Sequence, residues 1–155
     1  MKTLILYATK HGATREIAKR IADKIGNAQI HNLKTSGTPD LTKFDCVIVG
    51  SPVYIGTIRK EAKAFLAQNV SALCAKKLGL FITGMEMENG HTNFEPNFPS
   101  EVLRAAKAKV FFGGIFDPQK AGAIERMMVK FVKKNINYIN NIDDDEISRF
   151  VEALM

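Results

Sequence analysis

Four short segments of the chain are almost continuously apolar, a pattern typical of buried strands in a parallel sheet that is covered on both faces. These segments are residues 3–8, 44–50, 78–83 and 110–115, and the half-polar segment 28–33 suits a sheet edge. Between them, apolar residues recur with helical spacing. The predicted helices cover about 13–25, 59–74 and 100–108, where Ser100 would be the cap, and a terminal helix begins at 143–146. This alternation predicts a doubly wound α/β fold.

The turn between the first strand and the first helix is the earliest candidate site. It reads Thr9-Lys10-His11-Gly12-Ala13-Thr14. Backbone N–H groups and the positive end of the helix dipole converge at such a turn, so we expect a phosphate on residues 9–14. In the alternative interpretation, Thr9 or Thr14 only caps the helix. The turn lacks the glycine patterns of a P-loop NTPase and of a Rossmann dehydrogenase, so neither class is supported.

Two further glycine-containing segments, 51–57 and 84–90, also follow buried strands. In a doubly wound sheet the ligand binds beyond the carboxyl ends of the strands, where we expect these segments to meet residues 9–14. Phosphoacceptor receiver domains share this architecture, but they need an aspartate at the end of the central strand. Gly50 and Ser51 stand there instead, and no acidic pair follows the first strand, so the receiver interpretation fails.

Charge narrows the class of partner. The formal net charge is +6 and the pI is near 9.4, which suits nucleic acid, anionic lipid or an acidic small molecule. Nucleic acid is not expected, because aromatic residues are not interleaved with the basic ones and no nucleic-acid-binding motif is present. No apolar run approaches the roughly 18 residues of a membrane span, so a cytoplasmic protein is expected. Cys46 and Cys74 lack a metal-ligand spacing and are interpreted as small core residues.

The three glycine-containing segments together resemble the FMN-binding loops of the flavodoxin family. The resemblance implies a flavodoxin-like, doubly wound five-stranded parallel sheet in the order 2-1-3-4-5. It also implies FMN as the cofactor, its phosphate held by hydroxyls and backbone amides. His11 stands where the family usually has a third hydroxyl, so a main-chain N–H or the imidazole would make that contact. The implied cofactor-binding residues are Thr9, Lys10, His11, Gly12, Ala13, Thr14, Ser51, Pro52, Val53, Tyr54, Ile55, Gly56, Thr83, Gly84, Met85, Glu86 and Asn89.

By the same resemblance, the flavin ring lies between the segments 51–57 and 83–89. Tyr54 is the candidate stacking residue because the chain has no Trp; in the alternative it packs over a neighbouring helix. Gly56 stands where the family tends to have a peptide that reorients to accept a hydrogen bond from reduced N5, a movement for which glycine supplies the freedom. No catalytic side chain and no metal site is implied. The acidic run 143–146 is interpreted as helix capping.

Residues 116–142 form an insert between the last strand and the terminal helix, within one expected domain over residues 1–155. Its predicted basic amphipathic helix, about 120–139, resembles the insert of the flavodoxin-like, menaquinone-dependent protoporphyrinogen IX dehydrogenases. The likeness includes Gly113-Gly114-Ile115, but Phe116-Asp117-Pro118-Gln119 lacks the arginine- and tyrosine-rich character of those enzymes. The apolar stripe of the helix either packs on the protein or faces a membrane, a quinone or a porphyrin.

Two functions remain open at this point. In the first, the chain is an FMN-dependent oxidoreductase of heme biosynthesis that oxidises protoporphyrinogen, or a similar anionic tetrapyrrole, with a quinone as acceptor. Peripheral contact with the inner face of the membrane through the helix at 120–139 belongs to this hypothesis. In the second, the chain is a non-catalytic electron-transfer flavodoxin that docks on redox partner proteins. Reduction of quinones by NAD(P)H is less favoured because no nicotinamide site is recognised.

The positive net charge predicts a shift in the flavin potential. Acidic flavodoxins disfavour the anionic reduced flavin, whereas a basic protein stabilises it, although salt screens exposed charges beyond roughly 10 Å. We therefore expect a couple for the fully reduced flavin that is less negative than that of an acidic flavodoxin. Dye-equilibrated potentiometry at low ionic strength measures this couple, and an equally negative value would contradict the prediction.

Overall fold

The computed structural model describes residues 1–35, 37–119, 122 and 138–155. Its strands are β1 (Thr3–Tyr7), β2 (Ala28–Asn32), β3 (Cys46–Tyr54), β4 (Thr57–Ile58), β5 (Lys77–Thr83) and β6 (Ala108–Phe111). The parallel strands run in the order β2-β1-β3-β5-β6, and the short β4 pairs antiparallel with β3. Counted without β4, this is the order 2-1-3-4-5, so the predicted fold is confirmed.

Helices cover both faces of this sheet. They are α1 (Ala13–Ile25), α2 (Lys60–Gln68), α3 (Val70–Cys74), α4 (Phe94–Asn97), α5 (Ser100–Ala105) and α6 (Asp144–Leu154), with short 3-10 turns at Leu41–Lys43 and Gly90–Asn93. A separate antiparallel pair, β7 (Ile115–Phe116) with β8 (Ile139–Asn140), joins the two ends of the insert. Within the described ranges, no helix has both the length and the apolar character needed to cross a bilayer.

The face of the sheet that carries α1 and α6 contains an aromatic cluster. Phe81 from β5, Phe112 after β6 and Phe150 from α6 are at most 1% exposed. Their ring centroids lie 5.7 Å apart for Phe81 and Phe112 and 5.4 Å apart for Phe112 and Phe150. The predicted apolar faces of the two helices are confirmed, because Ile17 and Ile21 of α1 pack in the same layer as the buried residues of α6.

The ends of α1 and α6 follow their sequence signals. Gly26 ends α1 in the left-handed region at φ 84°, and its N–H donates to the Ala22 carbonyl (2.8 Å). Asp143 caps α6, its carboxylate accepting from the Asp145 N–H at 2.9 Å. The interpretation of the acidic run as helix capping is therefore confirmed.

The segment 51–57 is not the open loop that the sequence suggests. Strand β3 continues to Tyr54, and a two-residue turn, Ile55-Gly56, folds the chain back so that Val53 pairs with Ile58 and Tyr54 with Thr57. The glycine spacing marks the turn correctly, but the antiparallel pairing that extends the strand depends on contacts between its two arms. This segment is therefore a hairpin, here called the β3–β4 hairpin (residues 53–58).

The predicted helix at 59–74 is also interrupted. Asn69 leaves the helical region, at φ −126° and ψ 21°, and its side chain donates to the Phe65 carbonyl (2.8 Å), which separates α2 from α3. A side-chain amide that satisfies a helix carbonyl competes with the backbone in this way. Cys74, at the end of α3, is exposed, so its interpretation as a core residue is wrong; Cys46 is buried, and burial raises the pKa of its thiol.

The predicted last strand, 110–115, ends early. β6 stops at Phe111, because Gly113 takes a positive φ of 76° and Ile115 passes into the separate β7–β8 pair. Ser100 begins α5 but makes no cap, since Pro99 occupies the capping position and the helix stops at Ala105 rather than 108. In the insert, residues 120–121 and 123–137 of the predicted helix lie outside the described residues, whereas Ile139 at its predicted end is in β8.

The aromatic cluster yields a test of the fold. Phe150→Ala removes a fully packed ring, so we expect the free energy of unfolding to fall by about 3–5 kcal/mol. Glu152→Ala, at an exposed position of the same helix, is the matched control and should change it by less than about 0.5 kcal/mol. Urea denaturation measures both, and similar losses in the two variants would contradict the role of the cluster.

Candidate functional site

The turn after β1, residues 9–14, forms the first wall of the site, and Gly12 determines its shape. This residue is the N-cap of α1 at φ 95°, a left-handed conformation that favours glycine, and no side chain caps the helix. Thr9 Oγ1 accepts instead from the Gly12 N–H at 2.9 Å, and the Glu16 N–H donates to the Gly12 carbonyl at 3.0 Å. The simple capping interpretation of Thr9 and Thr14 is therefore wrong. The amides of residues 13–15 precede the helical hydrogen-bond ladder, as an anion site requires.

A buried hydroxyl pair joins this turn to the end of β5. Thr14 Oγ1 and Thr83 Oγ1 are 2.9 Å apart, and each residue is 1% exposed. Only one of the two O–H groups is used in their mutual bond, so the pair retains one donor. Both residues line the cavity described below, which places that donor beside any bound ligand.

The β3–β4 hairpin forms the second wall. Ile55 and Gly56, at φ 51° and 70°, have the positive φ values of a two-residue hairpin turn. The Lys10 ammonium lies 4.1 Å from the centroid of the Tyr54 ring, a cation–π contact between the first turn and the hairpin. Arg59 follows the hairpin; its guanidinium Nε is 3.7 Å from Glu61 Oε2.

The segment after β5 forms the third wall. Gly84 donates its N–H to the Gly113 carbonyl (2.9 Å), and a Cβ on Gly114 would approach the Gly84 carbonyl oxygen to 3.2 Å. This close packing joins residues 83–86 to the chain that leaves β6. Phe94 and Phe98, just beyond in sequence, are buried with ring centroids 5.4 Å apart, so residues 94–98 pack on the core.

The three walls enclose one cavity of about 260 Å³, lined mainly by apolar atoms. All the cofactor-binding residues expected from the sequence line it, except Gly12, Ser51 and Asn89. Ser51 is fully buried, and its hydroxyl donates to the Pro52 carbonyl and accepts from the Arg59 N–H, both at 3.0 Å. Asn89 is exposed and donates to Glu86 Oε1 at 3.3 Å. Gly12 shapes the turn without facing the cavity.

Six lining residues were not expected from the sequence: Arg59, Asn93, Phe111, Gly114, Ile115 and Phe116. A signal existed for Arg59, because a cation directly after the glycine-containing segment lies near the same sheet edge. The end of the last strand carries a similar signal for Phe111. Asn93 and Phe116 had none, since the 3-10 turn and the β7–β8 pair that carry them depend on tertiary contacts.

The cavity lining carries an exposed apolar side chain and charges of both signs. Ile55 on the hairpin is 68% exposed. Lys10 and Arg59 contribute positive charge to the lining and Glu86 contributes a carboxylate. The site therefore combines an apolar interior with a modest excess of positive charge, which suits a planar ring that carries an anionic group.

Comparison with known proteins identifies the family. A family profile described as a flavodoxin domain matches residues 4–141. The protoporphyrinogen IX dehydrogenase [quinone] of Escherichia coli K12 is 30% identical over 77 residues, which are 47% of this chain and 42% of that protein. The chain thus matches less than half the length of that relative.

Two solved structures share the fold. A short-chain flavodoxin associated with a PDU bacterial microcompartment aligns with a TM-score of 0.66 at 17% identity, over 99% of this chain and 96% of that one. A Lactobacillus acidophilus flavoprotein, solved in complex with FMN, aligns with a TM-score of 0.54 at 18% identity, over 72% of this chain and 91% of that one. At these identities the similarity concerns the fold alone.

The hydroxyl pair can be tested in the apoprotein. Thr14→Val or Thr83→Val leaves the other buried hydroxyl without its partner, so each should lower the free energy of unfolding by about 1–3 kcal/mol. The double variant removes both hydroxyls and should cost clearly less than the sum of the two. Urea denaturation of the four proteins completes the cycle, and strictly additive losses would show that the hydroxyls do not interact.

Proposed function

The chain belongs to the flavodoxin-domain family, and on that premise we propose that it is an FMN-dependent oxidoreductase that transfers electrons from a reduced, anionic tetrapyrrole to a quinone. FMN as the cofactor and redox chemistry as the class of function follow from the family itself. The residue assignments, the substrate and the acceptor are the proposal. The observation that carries it is the convergence of three walls on one apolar cavity beside an uncapped helix N-terminus.

The first wall fits the FMN phosphate. The amides of residues 13–15 have no intrahelical acceptor, and the dipole of α1 favours an anion at this end. The hydroxyl pair of Thr14 and Thr83 contributes a further donor. Lys10 belongs to the same turn and brings a positive charge to the cavity. We assign the phosphate to residues 9–14, where Gly12 allows the chain to make the turn.

The other two walls fit the flavin ring. In our assignment the ring lies between the β3–β4 hairpin and residues 83–86, and Tyr54 stacks on it. The Lys10 ammonium already lies over the Tyr54 ring, so Lys10 is placed to raise the local positive potential. A positive charge stabilises the anionic reduced flavin, in line with the potential expected from the net charge.

Bound FMN supplies the chemistry, since it can accept and release electrons singly or in pairs. The chain's own residues hold the ring, exclude water from it with apolar side chains and set the charge around it. The exposed apolar side chain of Ile55, on the lining of the cavity, suits an uncharged, ring-shaped acceptor such as a quinone. Arg59 and Lys10 suit the carboxylates of an anionic donor.

The relative from Escherichia coli supports the choice of reaction, because its name gives protoporphyrinogen IX as the donor and a quinone as the acceptor. The second candidate function is a non-catalytic electron carrier that docks on redox partner proteins. The segment Phe116-Asp117-Pro118-Gln119 favours this candidate, because it lacks the arginine- and tyrosine-rich character of the insert in protoporphyrinogen IX dehydrogenases.

We also propose that the insert mediates peripheral membrane contact through the basic segment 120–138, the part of the predicted helix that precedes β8. Most of this segment lies outside the described residues, so its sequence pattern alone supports this contact. The cytoplasmic location stays a prediction, as does the single domain over residues 1–155.

The proposed function is tested with the FMN-loaded protein under anaerobic conditions. Protoporphyrinogen and 2-methyl-1,4-naphthoquinone are added together, and we expect protoporphyrin fluorescence to rise only when the quinone and FMN are both present. Flavin that is reduced by dithionite and reoxidised by the quinone, with no oxidation of protoporphyrinogen, would favour the electron carrier. Failure of the apoprotein to quench FMN fluorescence would exclude both functions.

A matched pair of tyrosine variants tests the assigned stacking, with FMN affinity measured by the quenching of FMN fluorescence. Tyr54→Ser should weaken FMN binding by about tenfold, the upper range for one aromatic stacking contact. Tyr138→Ser changes an exposed tyrosine outside the cavity lining and should leave FMN affinity within about twofold. Equal effects of the two substitutions would contradict the assignment of Tyr54.

A further inference from the structure

Asn97 is a buried polar residue that does not line the cavity but connects two of the segments around it. It is 7% exposed at the end of α4. Its Nδ2 donates to the Gly56 carbonyl at 2.9 Å and to the Asn93 carbonyl at 2.8 Å, and its Oδ1 accepts from the Ile58 N–H at 3.1 Å. Both amide protons are therefore engaged, and two of the three bonds hold the β3–β4 hairpin.

The hairpin turn needs such support. Ile55 is β-branched and sits at φ 51°, a conformation that β-branched residues strongly disfavour. Asn, Asp and Gly are the residues that prefer this kind of turn. The Ile55 side chain is 68% exposed, so its packing offsets little of the conformational free energy that this φ value costs. The bonds from Asn97 to Gly56 and Ile58 flank the strained residue on its C-terminal side and hold the turn in place.

We propose that Asn97 is a positioning residue for the FMN site. Its amide donates to the Gly56 carbonyl and thereby favours the binding of oxidised over reduced flavin. This inference rests on the binding of FMN in the cavity, and it deepens the proposed function by naming a residue that sets the flavin potential. Asn97 acts through the hairpin turn, because Gly56 lines the cavity and Asn97 does not.

The Gly56 carbonyl has two potential donors, the amide of Asn97 and N5 of a reduced flavin. Two-electron reduction of flavin adds a proton at N5, which turns that atom from a hydrogen-bond acceptor into a donor. The Gly56 carbonyl lies in the wall assigned to the ring, and Asn97 Nδ2 already donates to it in the ligand-free chain. Because Asn97 does not line the cavity, this bond directs the Gly56 carbonyl toward α4. A reduced flavin gains this acceptor only if the peptide turns and gives up its bond to the buried amide. Loss of the amide lets the peptide turn without breaking that bond.

The test compares Asn97→Ala with Asn69→Ala. Asn69 is the matched control because its side chain also donates to a backbone carbonyl, that of Phe65 at 2.8 Å, and neither residue lines the cavity. The measured quantity is the ratio of the FMN dissociation constants for oxidised and reduced flavin, obtained from fluorescence titration and potentiometry. We expect this ratio to rise about fivefold in Asn97→Ala, the effect of one hydrogen bond, and to stay within about 1.5-fold in Asn69→Ala.

Loss of stability alone would not reproduce this result, since a loosened hairpin weakens both redox states equally. An unchanged or lowered ratio in Asn97→Ala, or an equal rise in Asn69→Ala, would overturn the proposal. If Asn97→Ala does not fold, Asn97→Leu fills most of the space without a donor and is expected to raise the ratio in the same direction.

The support that the Asn97 bonds give to the hairpin turn is tested in the apoprotein, independently of FMN and of any reaction. Ile55→Asn places a turn-compatible residue at the strained position and should stabilise the chain. If Asn97 holds a strained turn, the turn relaxes when the bonds are lost and recovers part of the strain. Asn97→Ala should therefore raise the unfolding equilibrium constant about threefold in the native background and about tenfold in the Ile55→Asn background. Equal effects in both backgrounds would show that Asn97 does not hold a strained turn. A protein that binds FMN but does not oxidise protoporphyrinogen would remove the proposed reaction and leave these two measurements valid.

Discussion

The parallel pairing of β1, β3 and β5 is the constraint on which the site depends. Tyr7 lies beside Gly50, Gly50 beside Phe81, and Pro52 beside Thr83, so these strands end at one edge of the sheet. Their side chains are buried on both faces, and a slip of one residue would exchange the two layers of the core. Burial therefore determines the register, and the register determines which segments surround the cavity.

The core layers hold these strand ends in place. Gly50 has no side chain where the Phe81 ring passes, and a Cβ there would collide with that ring. Phe81 in turn contacts Phe112, whose chain segment leads to the third wall of the cavity. The aromatic packing and the cavity are thus adjacent parts of one structure. The Thr14–Thr83 hydroxyl pair adds a polar connection between the first and third walls at the same edge.

The site contains two features that do not stabilise the fold. Ile55 is both strained and exposed, and the N-terminus of α1 has no side-chain cap. Strain of this kind persists only where the surrounding structure determines the conformation, and it is concentrated at ligand sites. Asn97 holds the conformation of the hairpin, because its Nδ2 donates to the Gly56 carbonyl and its Oδ1 accepts from the Ile58 N–H. The same residue explains why a turn with an unfavourable sequence keeps a defined shape.

The amino-acid sequence by itself determined the buried strands, the position of α1 and the capping of α6, because continuous apolar runs, helical spacing and capping residues act over a few residues. The strand order and most of the expected lining residues were implied by the resemblance of the three glycine-containing segments to the flavodoxin family. Only the structure decided the hairpin, the break at Asn69, the end of β6 at Phe111 and the hydrogen bonds of Asn97 to the hairpin. The hairpin and the break at Asn69 depend on local hydrogen bonds that compete with the regular pattern, and the bonds of Asn97 join segments that are distant in the chain. The apolar pattern along one segment carries no information about either kind of bond.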